Sequence, residues 1–329
     1  MHKFCLLTAS AKKLLSYLLK AAILVLAFVY IYRRINNNDN LKQFEHLIAG
    51  INRTQAIVTM SIIFLLMLVN WILESFKWKY LTRNLEKISV WKAIEAVFCG
   101  LTWAIFTPNR LGEYGGRVMF LPGSKRIHGV FVMAVGSFGQ NVITNVLGLL
   151  ALMWFNYTWY HLNTWAALGL SILAIAFIAL LLLVYFNIGW LVGLLNRIKF
   201  LKKYEHFFDI MGKYRKPELL NIMFFCLARF FVFSFQYYLV IHLLMPAIPV
   251  FPMMMMVFIL FFIQSALPSL DLLDVGVRSM TASAFFIYIT DQKIAVMAAV
   301  SSIWFINLII PAILGSAFVL KLKFFDRAA

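Results

Sequence analysis

Residues 93–107 form a short apolar run that carries Glu95, and they are followed by Pro108-Asn109-Arg110-Leu111-Gly112-Glu113-Tyr114-Gly115-Gly116-Arg117. A helix over 93–107 would be about 22 Å long at about 1.5 Å per residue, short of the roughly 30 Å of bilayer hydrocarbon. Pro108 ends that helix, because its ring fixes φ and removes an N–H, and it suits the start of another. The stretch therefore reads as a hairpin that enters a membrane and turns back. A second segment repeats the plan: residues 250–267 are apolar and end at Pro268-Ser269-Leu270-Asp271-Leu272-Leu273-Asp274-Val275-Gly276-Val277-Arg278-Ser279.

The rest of the chain supports a membrane setting. Of 329 residues, 63% are hydrophobic and 13% charged, with a mean hydropathy of +0.86. Soluble domains are about half apolar and about a quarter charged, so a soluble enzyme, a disordered chain and a disulfide scaffold are excluded. Six segments are long enough to cross: roughly 14–32, 55–73, 127–155, 164–186, 219–244 and 294–320. The run 14–32 is too long for a signal-peptide core and is followed by Arg33-Arg34-Ile35-Asn36, which is no cleavage site. The expected fold is an all-α polytopic membrane protein with six full spans and two re-entrant hairpins. Eight conventional spans fit the hydropathy as an alternative.

Loop charge sets the expected orientation. Connections 156–163 and 245–252 carry no Lys or Arg, whereas 187–217 carries Arg197, Lys199, Lys202, Lys203, Lys213, Arg215 and Lys216. Residues 74–92, read as a loop, carry Lys77, Lys79, Arg83, Lys87 and Lys92. The positive-inside rule places 74–126, 187–217 and both termini in the cytoplasm of a cell with an inner membrane. Segment 33–54, with four basic residues on the outer side, reads as amphipathic and interfacial. The chain then divides into inverted halves, 1–155 and 164–320, each running span, span, hairpin, span, the layout of many alternating-access transporters.

The formal net charge of +17 is that of basic membrane loops, with affinity for anionic headgroups and no nucleic-acid module. Cys5, Cys99 and Cys226 are scattered, and the six histidines show no metal-ligand spacing, so no cofactor or metal is expected. The candidate chemistry lies in the arginines. Arg110 and Arg117 are seven apart, on one face if helical, with Glu113 three and four residues from them, in reach of either. Guanidinium groups grip phosphate with paired hydrogen bonds. Asp271 and Asp274 can bind a cation or hold Arg278. Arg229 sits mid-span, where a charge must face the bundle interior or a wet cavity, and Gln236 follows on the same face. Gln140, Asn141, Thr144 and Asn145 sit mid-span in 127–155, where interhelical hydrogen bonding or a headgroup path would use them.

These motifs resemble the lysylphosphatidylglycerol synthase/flippase transmembrane family. The resemblance rests on Pro108, Arg110, Gly112, Glu113 and Arg117, and on Pro268 with Gly276-Val277-Arg278. The chain departs from the family pattern at Ser269-Leu270-Asp271-Leu272-Leu273-Asp274, where glycines are usual, and at Ser279, where glutamate is usual. The resemblance implies a flippase-like membrane domain. In two-domain members this domain moves an aminoacylated lipid outward after a cytosolic domain makes it. Ala329 follows the last span directly, so no synthase domain is expected.

The resulting expectation is translocation of a phospholipid or polyprenyl-linked lipid between leaflets. Arg110, Arg117, Arg229 and Arg278 would engage the phosphate, and Glu113, Asp271 and Asp274 would hold those arginines or a headgroup amine. Pro108, Asn109, Gly112, Asn141, Asn145, Gln236, Pro268 and Gly276 would support the site. The expected partners are membrane lipids with an anionic or polyprenyl phosphate headgroup, alongside a second copy of the chain or a separate lipid-modifying enzyme. Two alternatives are a lipid-phosphate transferase using Asp271 and Asp274 with a divalent metal, and a non-transporting partner subunit.

Overall fold

The computed structural model describes residues 52–105, 107, 110–198, 205–266 and 274–319. The span expected at 14–32 and the interfacial segment before residue 52 lie outside them. All regular structure among the described residues is helical.

Helix α1 (Arg53–Thr82) starts where the Asn52 side chain accepts from the Thr54 N–H at 2.9 Å. Its inward residues recur three and four apart: Ile63, Met67, Asn70, Glu74, Lys77 and Leu81 are all buried. The opposite face leaves Leu65, Val69, Ile72 and Phe76 exposed, as a lipid-facing surface requires. The helix corrects the reading of 74–92 as a loop: α1 runs nine residues past 73, and Lys77 is buried within it. The true connection follows Thr82, where Lys125 bonds Glu86 at 2.6 Å and holds its carboxyl below the usual range.

Helices α2 (Val90–Ala104) and α3 (Leu111–Val118) form the first hairpin, packed on one another. Helix α4 (Arg126–Phe155) lies in a continuous helical stretch, Gly123–Tyr160, which closes in a π turn at Asn156–Tyr160. Next come α5 (Thr164–Phe186), α6 (Ile188–Arg197) and α7 (Glu205–Gly212). Helix α8 (Lys216–Leu244) begins with Pro217 in its first turn and the Glu218 carboxylate on the Arg215 N–H at 2.7 Å. The second pair is α9 (Val250–Ala266) and α10 (Asp274–Phe286). Helix α11 (Lys293–Trp304), a π turn at Phe305–Ile309 and α12 (Ile310–Val319) complete the chain. Pro311 supplies a local reason for that turn: without an N–H it cannot bond the Asn307 carbonyl.

Among the described residues, five helical stretches are long and apolar enough to cross a membrane: Arg53–Thr82, Gly123–Tyr160, Thr164–Phe186, Lys216–Leu244 and Lys293–Val319. They coincide with five of the six expected spans. The pattern is that of a multi-pass membrane protein. Helices α1, α4 and α8 pack on one another; α2 lies against α1 and α12, while α9 lies against α4 and α8.

Helix α5 is apolar nearly all round, and its single buried residue is Tyr185. The Tyr185 hydroxyl donates to the Leu219 carbonyl of α8 at 2.9 Å, and its ring packs on Phe138. Tyr185→Phe is expected to cost about 0.5–1.5 kcal/mol, the net worth of one such bond. Unfolding in detergent measures this, and unchanged stability would show that the hydroxyl does not anchor α5.

Candidate functional site

Three helices bring their charges to one point. Glu74 of α1, Lys77 one turn on, and Arg117 of α3 are 4%, 3% and 2% exposed. Arg229, from the middle of α8, reaches the same carboxylate. Glu74 Oε1 accepts from Arg117 Nη1 at 2.6 Å; Glu74 Oε2 takes Lys77 Nζ at 2.7 Å and also Arg229 Nη1. Arg117 uses its second nitrogen, Nη2, on Glu113 Oε1. Arg110 Nε lies 3.0 Å from Glu113 Oε2. Each buried ion therefore has an opposite charge, the condition under which desolvated charges are tolerated.

Neutral groups complete the lattice. Arg229 Nε donates to Asn70 Oδ1 at 3.0 Å, and its guanidinium lies 5.2 Å from the Trp71 ring. Gln140 Nε2 donates to the Cys226 carbonyl at 3.4 Å. Arg110 adopts φ 57° and ψ 26°, a left-handed conformation costing a non-glycine residue about 1–3 kcal/mol. Arg110 stands at the N-cap position of α3, with no side-chain cap bond among the described residues, directly ahead of the helix that carries Arg117. Gly112 donates its N–H to Thr107 Oγ1 at 2.6 Å, which closes the turn.

The cluster borders a cavity of about 500 Å³. Its charged and polar lining includes Asn70, Glu74 and Lys77 of α1, Arg110 ahead of α3, Glu113 of α3, Gln140, Asn141 and Thr144 of α4, and Arg229 of α8. Phe230, Phe233 and Tyr237 of α8 with Phe261 of α9 form an aromatic wall, in which Phe233 and Phe261 stack at 5.0 Å. Gln264, Arg278 and Asn307 also line it, and Arg278 Nη1 donates to Gln264 Oε1 at 3.3 Å.

Of the residues singled out in the sequence, Arg110, Glu113, Arg229, Arg278 and Asn141 line this cavity. Arg117 lies behind it, with Nη1 and Nη2 committed to carboxylates, so it positions Glu74 and Glu113. Gln236 is fully buried and bonds the Ile63 carbonyl at 3.0 Å; it ties α8 to α1 away from the cavity. Asn145 bonds the Asn141 carbonyl at 2.8 Å and does not line it. Pro108, Asn109, Pro268 and Asp271 lie outside the described residues. Asp274 and Gly276 stand in the first turn of α10, and the Asp274 carboxylate is likewise outside them. Glu74, Lys77, Asn70, Trp71, Gln264 and Asn307 are additions to the expected set. The three-four spacing of 63, 67, 70, 74, 77 and 81 is the signal that places Glu74 and Lys77 inward. Among the described residues, no group of three His, Cys, Asp or Glu side chains could hold a metal ion.

No protein-family model matches the chain, and neither a curated protein nor a solved structure matches it.

Proposed function

We propose that this chain is a flippase-like inner-membrane protein that moves a phospholipid or polyprenyl-linked lipid between leaflets. The reading takes α2–α3 and α9–α10 as re-entrant hairpins and the chain as two inverted halves with cytoplasmic termini. The single observation that carries it is a cavity lined both by the guanidinium groups of Arg110, Arg229 and Arg278 and by the rings of Phe230, Phe233, Tyr237 and Phe261. A molecule with an anionic head and an apolar body fits such a space. At about 500 Å³ the cavity suits a headgroup, with chains left among the surrounding helices.

Glu74 then acts as a resident counter-ion. A phosphate arriving at Arg229 competes with Glu74 for that guanidinium, while Glu74 keeps Lys77 and Arg117. Exchange of one anion for another allows the charge to enter without leaving an unpaired ion behind. The resemblance through Pro108, Arg110, Gly112, Glu113 and Arg117 supports the same class of activity.

The test is leaflet exchange of a fluorescent phosphatidylglycerol in proteoliposomes. Arg110→Gln and Arg229→Gln are each expected to slow exchange about ten- to a hundredfold, the worth of one hydrogen bond to a charged group. Parental rates in both variants would overturn the site.

A further inference from the structure

We propose that the cavity selects a lipid phosphate whose headgroup bears hydroxyls and no positive charge, and that it disfavours a cationic, aminoacylated headgroup. The inference rests on the lipid-site reading above and deepens it. Among the described residues, the carboxylates bordering the cavity are Glu74 and Glu113, and both are engaged. Glu74 holds Arg117 at 2.6 Å, Lys77 at 2.7 Å and Arg229 as well. Glu113 holds Arg117 and, at 3.0 Å, Arg110. An ammonium group approaching either carboxylate comes within a few ångströms of cations already there, and like charges repel strongly in so dry a setting.

The neutral part of the wall is suited to hydroxyls. Trp71 and Asn307 are 4% and 6% exposed, and Trp71 Nε1 and Asn307 Oδ1 have no hydrogen-bond partner among the described residues. Gln264 Nε2 is in the same state. All three side chains line the cavity. Two donors and one acceptor are thus unsatisfied, at a cost that a ligand relieves. The donors suit phosphate or hydroxyl oxygens, and the acceptor suits a hydroxyl proton. The π turn at Phe305–Ile309 carries Asn307, and its amide Nδ2 is already occupied by the Ile303 carbonyl at 3.2 Å. That bond uses one of the two Nδ2 N–H groups and leaves Oδ1, a buried atom, without a partner among the described residues.

The test uses the full chain in nanodiscs loaded with fluorescent phosphatidylglycerol, with unlabelled phosphatidylglycerol and lysylphosphatidylglycerol as competitors. Phosphatidylglycerol is expected to displace the probe at about tenfold lower mole fraction, a difference that one repelled charge can supply. Equal displacement by the two would overturn the charge selection while leaving the lipid site intact. Probe binding that is unaffected by Arg229→Gln would instead overturn the lipid-site reading itself. The hydroxyl part has its own arm. Asn307→Leu is expected to weaken phosphatidylglycerol about three- to tenfold and to leave phosphatidic acid, which has no headgroup hydroxyl, unchanged. Equal loss for both lipids, or no loss for either, would overturn that part.

Discussion

Glu74→Ala is expected to destabilise the chain by about 3–5 kcal/mol, as removal of one partner from a buried ion pair does. The effect is large because one deletion leaves three cations facing each other. Lys77, Arg117 and Arg229 all bond this carboxylate, and they come from α1, α3 and α8. Glu113 can still hold Arg117, but Lys77 and Arg229 are left with neutral amides and a thiol. Glu74→Gln keeps the shape and one acceptor oxygen while losing the charge, so its cost should fall between the parent's and that of the alanine variant. Unfolding in detergent, followed by tryptophan fluorescence, measures both. Adding Arg229→Met to Glu74→Ala removes one of the stranded cations and should recover part of the loss, a non-additivity that a double-mutant cycle reads directly. Additive losses, or an alanine variant within about 0.5 kcal/mol of the parent, would show that the cluster does not hold the three helices together.

Hydropathy made the long elements legible because lipid-facing helices have little else to encode. The expected 164–186 coincides with α5, and 219–244 differs from α8 by three residues at its start. The failure at α1 has a definite cause. A sliding count treats Glu74, Lys77, Lys79 and Arg83 as solvated charges and ends the span at 73. Pairing reverses that penalty for Glu74 and Lys77, but the partners of Glu74 on other helices, Arg117 and Arg229, lie 43 and 155 residues away in sequence. The arginines stood out in the sequence because a mid-span cation needs an explanation. Their shared counter-ion did not, because it sat in what read as a loop. Seven-residue spacing also misled: Gln236 follows Arg229 on α8, yet Gln236 does not line the cavity and meets the α1 backbone instead. Asn307 was hidden for another reason, since it reaches the cavity from a π turn that no 3.6-residue pattern describes.

Gly315→Ala is expected to be the most disruptive of the single-methyl additions. Helix α12 crosses α2 so closely at this point that a Cβ on Gly315 would lie 2.0 Å from the Phe98 carbonyl oxygen and 2.6 Å from Thr102 Oγ1. The first of these is backbone and cannot rotate away, so the two helices must separate. Separation stretches the bond from Thr102 Oγ1 to the Ala312 carbonyl, now 2.9 Å. Helix α2 has no room to retreat. On its other side Gly100 faces α3, where a Cβ on Gly116 would come within 2.7 Å of the Gly100 Cα. A displaced α2 therefore pushes α3, and with it Arg117 and Glu113, out of register with Glu74. Overpacking of this kind costs about 1–3 kcal/mol and occasionally more. Here it should also slow lipid exchange, although Gly315 touches neither the cavity nor the ion cluster. Gly169→Ala in α5 is the matched control: nothing lies within 4 Å of the added methyl, and alanine favours the helix by about 1 kcal/mol. If the two variants unfold alike in detergent and exchange lipid alike, α2 is not wedged between its neighbours, and the site's geometry does not depend on that contact.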